Sequence, residues 1–584
     1  PIFDKLIASG EISADVSVYT RSVVISQNPK IRSIYLDDRL SISDRQNFKS
    51  RIPILEKKLK ERKAFFELSD CKKYVFLQCF NSFQSNILDA ILLGQDADYD
   101  GPVAIAIPKT GVPIIDEVVR PCWVDMLSSS SNVSLLNVNI PYHNERSPRG
   151  NTQASIASRL RFGGLDAVLW RMLKWGSVPS GFSKMGKVAV IGQNELLRDA
   201  VSSCFFQGVA PIFIKKPSIS NSSVISDYAV AKAIIGACGS IVENRFNSIP
   251  SAYLREKMES LFFEYLASEM GKYNIFLQKW IELLSTMPKL NCLLSDYTKG
   301  PFAQAMADAC RVKGIKVIAF QHGITREILS NVEERSIFFE TTFCDLFFAM
   351  NPMSKEVTTK YRTNKRSEVK SSSWPKPHIR VSGQSDKSAR SILYVSTNLY
   401  AGHRPNGVPA ASDRMLYELE SCLVEKVFGH VKKTIDYKPY PAIRYLDADP
   451  VLKMVNAQKN MSVVGTHEDL RYMLARYQMF ITTRATSTVS WIVATGKPLL
   501  FIDHYCHARL SEDARDAFLR SFFLFDQRDV DFKSHLKTFL KRPFDEILEE
   551  WDSKSSQRLQ TIEQFFSGEQ DSHRDQIFAD IKRH

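Results

Sequence analysis

Several absences narrow this 584-residue chain before any motif is read. No apolar run reaches the about 20 residues needed to cross a bilayer as a helix. The opening Pro1-Ile2-Phe3-Asp4 is not a charged start followed by an apolar stretch, so a cytoplasmic protein is expected. Ten cysteines stand singly with no CxxC pair, which fits reduced thiols rather than a disulfide framework. His504, Cys506 and His507 cluster, but no second group completes a zinc set, and no metal site is expected. There is no helix-turn-helix spacing, zinc finger or aromatic RNA-binding motif, so nucleic acid is not an expected partner. The full glycine-rich dinucleotide fingerprint is missing, and no repeat of fixed period runs through the chain.

What is present is enough apolar and aromatic material, 44% and 11%, to build real cores. At roughly 100–200 residues per domain, two large domains or three small ones are expected. The excess of 77 basic over 64 acidic residues, +13, is moderate and spread along the chain. Basic clusters at Lys57–Lys63 and Lys360–Lys370 read as solvated faces or linkers that could also dock on an anionic membrane surface.

The expected organisation is an N-terminal extension over 1–69, an α/β domain over 70–354, a basic linker over 355–390, a second α/β domain over 391–545 and a helical tail over 546–584. In the first domain, Val103–Ile107 and Lys187–Ile191 read as strands. Glu195–Phe206 reads as a helix and Pro211–Ile214 as a strand. Leu254, Met258, Leu261, Phe262, Tyr265 and Leu266 recur at helical spacing and predict a core-facing helix. Ser371-Ser372-Ser373, Pro375 and Pro377 mark the domain boundary.

The most informative stretch is 475–503. Met479–Thr482 reads as a strand, Arg484-Ala485-Thr486-Ser487-Thr488 as a tight hydroxyl-rich turn, and Val489–Thr495 as a helix stopped by Gly496. A helix start of this kind presents backbone N–H groups with the positive dipole end behind them, a ready phosphate site. Plain capping is the alternative.

Ligands of open α/β sheets bind beyond the carboxyl ends of the strands. Suspicious polar groups follow strand ends at Asp296, His322, Lys438 and Thr482–Thr488. Helix capping is the structural alternative for Asp296, a satisfied turn for His322. Pro439 and Pro441 stiffen the loop that carries Lys438 and Tyr440, so this cation would be held beside the phosphate turn. His467 and Glu468 begin a helix after a strand and could touch a base or ribose. Arg404 sits in the Gly402–Gly407 loop, long enough to reach a cleft.

Taken together, VIAFQHG in the first domain and DYKPYP, GTHEDL, TTRATSTVSW and GKPLLFID in the second resemble GT-B glycosyltransferases of bacterial surface-polysaccharide assembly, nearest the capsule and lipopolysaccharide Kdo transferases. The likeness covers about 291–503. It implies an α/β GT-B fold, two Rossmann-like domains facing a central cleft, with a nucleotide-sugar donor held mainly by the C-terminal one. It implies an inverting, metal-independent transfer to a growing glycan or glycolipid, with no cofactor beyond the nucleotide-sugar co-substrate. No metal motif is assigned to Asp447-Ala448-Asp449, which matches DxD only in form. Asp296 is then the candidate base, with Asp100 or Asp116 as substitutes. His322 is the second catalytic candidate, and Lys438, Tyr440, His467, Glu468, Arg484, Thr486, Ser487 and Thr488 are the donor-binding candidates. The rival readings are a CDP-polyol phosphotransferase of the teichoic-acid type, a nucleotide-sugar epimerase and a non-catalytic nucleotide- or sugar-binding scaffold. The basic linker and aromatic helices suit work at the inner face of the cytoplasmic membrane beside other polysaccharide-assembly enzymes.

Overall fold

A computed structural model describes residues 18–20, 33–35, 39–94, 103–108, 112–114, 117–119, 133–138, 156–175, 186–220, 224–287, 290–296, 300–330, 334–362, 364–382, 390–397, 411–440, 449–465, 468–505, 508–568 and 579. Asp100, Asp116, Arg404, Asp447, His467, Cys506 and His507 lie outside the described residues.

Two six-stranded parallel sheets organise the chain. The first contains β1 (Lys187–Ile191), β2 (Ala210–Phe213), β3 (Leu290–Ser295), β4 (Lys316–Phe320), β5 (Leu346–Ala349) and β6 (Glu368–Ser371) in the order β6-β5-β4-β3-β1-β2. The second contains β7 (Arg390–Val395), β8 (Ile435–Lys438), β9 (Met461–Val463), β10 (Tyr477–Thr482), β11 (Leu499–Asp503) and β12 (Phe523–Asp526) in the order β9-β8-β7-β10-β11-β12. Both are Rossmann-like, and their pairing in one chain is the GT-B architecture. In each sheet the chain reverses its direction of winding at one point, between β1 and β3 in the first and between β7 and β10 in the second. Those are the crevices where such sheets bind ligands.

The central strands are short continuous apolar runs because helices cover both faces. Val188, Val190, Leu293, Leu294, Ile318 and Phe348 are fully buried, as are Ile392, Leu393, Phe480, Ile481, Leu500 and Phe501. The helices of the first domain include α1 (Ile42–Glu61), α2 (Asp70–Gly94), α3 (Ile156–Trp175), α4 (Glu195–Phe206), α5 (Tyr228–Cys238), α6 (Ala252–Ser285) and α7 (Gly300–Val312); α3, α4 and α7 pack on the sheet, α2 and α6 pack on α7, and α5 packs on α6. Leu254, Met258, Phe262 and Leu266 of α6 are buried against Phe76, Phe80 and Phe83 of α2, so that periodic face is core.

Two expectations are corrected, and a third is refined. The extension drawn over 1–69 is not separate in its last third: a capping box between Ser41 and Asp44 starts α1, whose Leu59 joins the same core as α2 and α6. Val103–Pro108 is a strand as expected; among the described residues it pairs with Val133–Val138, outside the two large sheets. The expected linker 355–390 instead supplies the end of α8 (Pro352–Tyr361), the strand β6 and the helix α9 (Lys376–Val381). β6 is an edge strand. It buries Val369 while Glu368 stays exposed, and edge positions tolerate the charges that make the segment read as linker.

In the second domain α10 (Asp413–Cys422), α11 (Ser487–Ala494) and α12 (Glu512–Ser521) flank the sheet. The tail does not trail away. Its helix α13 (Ser555–Phe565) packs on α12 and reaches back to the first domain, where Asn351 Nδ2 donates to Phe565 O at 2.9 Å.

Candidate functional site

At the first crevice, β1 ends in Gly192-Gln193-Asn194 and β3 ends at Asp296. Asp296 Oδ2 accepts from the backbone N of Gln193 at 2.8 Å and of Asn194 at 2.6 Å. Gly192 has φ +115, and a Cβ there would fall 1.6 Å from Asp296 Oδ1, so only glycine lets the carboxylate close on the turn. Asn194 is the hub of this turn. Its Oδ1 caps α4 through Leu197 N at 2.8 Å, and its Nδ2 donates to Phe320 O at 3.0 Å and Gln321 O at 3.2 Å. Asp296, the β1 turn and the end of β4 are thereby held as one unit.

His322 follows directly, with an exposed side chain on a fixed backbone. Its N–H donates to Glu340 Oε1 at 3.3 Å, and Glu340 is paired with the buried Arg326. Gln321, fully buried, donates to Gly323 O at 2.8 Å and accepts from Met350 N at 2.7 Å and Ser354 Oγ at 2.6 Å. The buried Glu327 accepts from Thr325 N at 2.9 Å and Asn351 Nδ2 at 2.8 Å, and burial raises its pKa. A loop this thoroughly satisfied holds fixed the backbone that carries the exposed imidazole.

At the second crevice, Arg484 Nη1 bridges from the end of β10 to Thr397 O beyond β7, at 2.9 Å. Thr486 is the N-cap of α11, yet its hydroxyl makes no capping bond, and its buried Oγ1 has no hydrogen-bond partner among the described residues. An uncapped helix start beside an arginine is an electropositive pocket. Ser487 is exposed there and Thr488 half-buried. His504, at the end of β11, is held near pKa 4 by burial and by Arg484.

Lys438 ends β8 and is buried, with Nζ donating to Gly465 O at 3.3 Å. Burial lowers its pKa, against the opposing pull of Asp469 and Glu468. Tyr440, two residues on, is half-buried. Glu468 is engaged by Arg476, with contacts of 2.7 and 2.9 Å, so its carboxylate is already committed.

The two crevices face each other. Gly323 in the loop after β4 abuts Ser487 at the first turn of α11. Further along, Leu329 bridges to Leu510, Ser330 N donates to Arg509 O at 2.8 Å, and Ser511 N donates to Ile328 O at 2.9 Å. A second crossing went unread in the sequence: Arg471 Nη1 donates to Glu195 Oε1 at 2.6 Å. Arg471 lies three residues past Glu468, but its partner is 276 positions away, and no local pattern joins them.

Scanned against protein-family models, the chain matches none, and no curated protein sequence matches it. Solved structures similar in fold exist. UDP-GlcNAc 2-epimerase from Neisseria meningitidis bound to UDP-GlcNAc is 10% identical, over 64% of this chain and 93% of that one, at a TM-score of 0.36. MurG of Acinetobacter baumannii is 10% identical, over 68% and 99%, at 0.33. Arabidopsis thaliana UGT89C1 complexed with UDP is 14% identical, over 72% and 96%, at 0.36. The strand orders, not these likenesses, establish the fold here.

Among the described residues, no group of three or more His, Cys, Asp or Glu side chains is placed to hold a metal ion. No described helix is long and apolar enough to cross a membrane.

Proposed function

We propose that this chain is an inverting GT-B glycosyltransferase that takes its sugar from a nucleotide-sugar donor held by the second domain. The observation that carries the reading is the opposition of the two crevices. The uncapped start of α11, with Arg484 at its side, confronts the His322 loop across the contact between Gly323 and Ser487. The solved GT-B structures complexed with UDP or UDP-GlcNAc are consistent with a nucleotide-sugar ligand.

In this reading the diphosphate rests on the N–H groups of Ser487 and Thr488 and on the hydroxyls of Thr486, Ser487 and Thr488, the Thr486 N–H being donated to Arg484 O at 2.9 Å. Arg484 and Lys438 neutralise it, Tyr440 flanks the nucleoside, and the candidates His467 and Glu468 are assigned to the same side, Glu468 through its pair with Arg476 rather than as a free carboxylate. The acceptor hydroxyl gives its proton to Asp296 as its oxygen bonds to the anomeric carbon, while the bond from that carbon to the phosphate oxygen breaks. His322 stabilises the charge gathering on the leaving phosphate. Cationic side chains and a helix dipole do the neutralising, so the reaction needs no metal. The acceptor is a growing bacterial surface glycan or glycolipid met at the inner face of the membrane, and CMP-Kdo is the first donor to test.

A thermal-shift panel of CMP, CDP, UDP, GDP and dTDP tests the nucleotide site. One nucleotide should raise the melting temperature above the others, by about 2.7 kcal/mol of stabilisation at a hundredfold excess over Kd. A flat panel overturns the reading. Product analysis with the matching sugar nucleotide then separates a glycosidic bond from a phosphodiester, from donor epimerised without acceptor, and from unconsumed donor.

A further inference from the structure

We propose that Arg471 and Glu195 form a latch between the domains that sets the first crevice against the donor helix, which makes Arg471 a positioning residue for the reaction. The inference rests on the function proposed above.

Arg471 lies between the two crevices and is tied to both. Toward the first domain it donates to Glu195 at 2.6 Å, and Glu195 is the first residue of α4. The residue before it, Asn194, is the one that gathers Asp296 and the end of β4. Toward the second domain the guanidinium lies over the Trp491 ring, 5.0 Å from its centroid, and Trp491 is in α11. Its Nε is 3.1 Å from Asp469 Oδ1, and Asp469 Oδ1 also accepts from Arg471 N at 3.1 Å, which fixes the arginine's own turn. Burial lowers the arginine's pKa, but Asp469 and Glu195 more than reverse this and raise it, so the cation persists at any working pH.

The rest of the interface supports a discrete docked position. Asp166 of α3 holds both Lys376 at 2.8 Å and Arg380 at 2.6 Å, and the N–H of Lys376 donates to Asp199 at 2.7 Å. These contacts tie α9 to the first domain. His378 of α9 then stacks on the far domain's Trp491 with centroids 3.7 Å apart. Trp491 is therefore gripped by His378 and Arg471, and the rotation of the second domain is set at the helix that would carry the phosphate. Breaking the ion pair leaves Arg471 with Asp469 and Glu195 with Arg198 at 3.6 Å, so what is lost is the link between the domains rather than the compensation of either charge.

The test uses the full chain with Glu195→Gln, which keeps the shape and removes the charge, and with Arg471→Gln and Arg471→Lys. Small-angle scattering reads the domain separation, and amide exchange reads 192–198 and 487–494. Turnover of the sugar nucleotide selected by the thermal-shift panel reads kcat and KM. The expected result is a larger radius of gyration in both Gln variants and exchange at least about tenfold faster in the two segments. A kcat lowered by about tenfold, with donor KM within about twofold, should accompany it, and Arg471→Lys should recover part of the loss. Unchanged scattering and exchange overturn the latch. So does a fall in kcat that tracks only a lower melting temperature without opening. If the wild type binds no nucleotide, the function proposed above fails, while scattering and exchange still decide the latch.

Discussion

Gly323 and Ser487, one on each domain, meet so closely that a Cβ built on Gly323 would lie 2.8 Å from Ser487 Cβ. The missing side chain is what lets the His322 loop reach the first turn of α11. Gly323→Ala should therefore push the loop away and destabilise the chain by about 1–3 kcal/mol, as overpacking does. Ser487→Gly should restore the loss in the double variant. Urea denaturation of the four members of this cycle checks it, and additive losses count against a direct contact.

Asp296 has a double duty. Its Oδ2 accepts two backbone N–H bonds from the β1 turn, so Asp296→Ala should cost about 1–3 kcal/mol of stability whatever its chemistry. If it is also the base, Asp296→Ala and Asp296→Asn should nearly abolish transfer while nucleotide affinity by calorimetry stays within about twofold. Full turnover in a folded Asp296→Asn protein removes it from the mechanism.

Lys438→Ala should weaken nucleotide binding by about tenfold or more in calorimetry, since a buried cation beside an anionic ligand is poorly replaced by water. Equal affinity contradicts its role with the donor. Its contact with Gly465 O predicts a smaller structural effect as well, visible as a lower melting temperature.

The buried histidines predict an acid limb of stability. Burial, aided by Arg471, lowers His378 to about 3, and burial, aided by Arg484, lowers His504 to about 4. Below about 6.5 the unfolded chain binds protons that the folded histidines refuse, so stability falls as pH drops. The slope is roughly 1.4 kcal/mol per pH unit for each histidine, until each folded pKa is reached. Above pH 7 both contributions are complete. Urea midpoints between pH 4 and 8 measure it, and His378→Gln should flatten the slope by about half over pH 5–6.

Much of the architecture could be read locally. The apolar runs of Lys187–Ile191, Lys316–Phe320 and Leu499–Asp503 are strands because each is short, β-rich and bounded by turn residues, and that pattern survives without knowing its neighbours. The polar residues at strand ends, Asp296, His322, Lys438 and Thr482, were identifiable for the same reason. What stayed hidden was charged or distant. β6 carries Glu368 and Lys370 because an edge strand has an exposed side, so its sequence looks like linker. The α2 helix is buried on nearly every side and carries Asn81, Gln84 and Ser85 into the interior among its apolar residues, so no clean amphipathic stripe marks it.

The sequence by itself therefore determined two parallel α/β units and a hydroxyl-rich helix start, since periodicity and capping chemistry act over a few neighbouring residues. Only the tertiary structure decided the strand orders, the return of the tail to Asn351, the seating of Asp296 on the Asn194 turn, and the meetings of Glu195 with Arg471 and Gly323 with Ser487. Those pairings join residues about a hundred to nearly three hundred positions apart. They arise from shape and charge complementarity between finished surfaces, which no short-range pattern encodes.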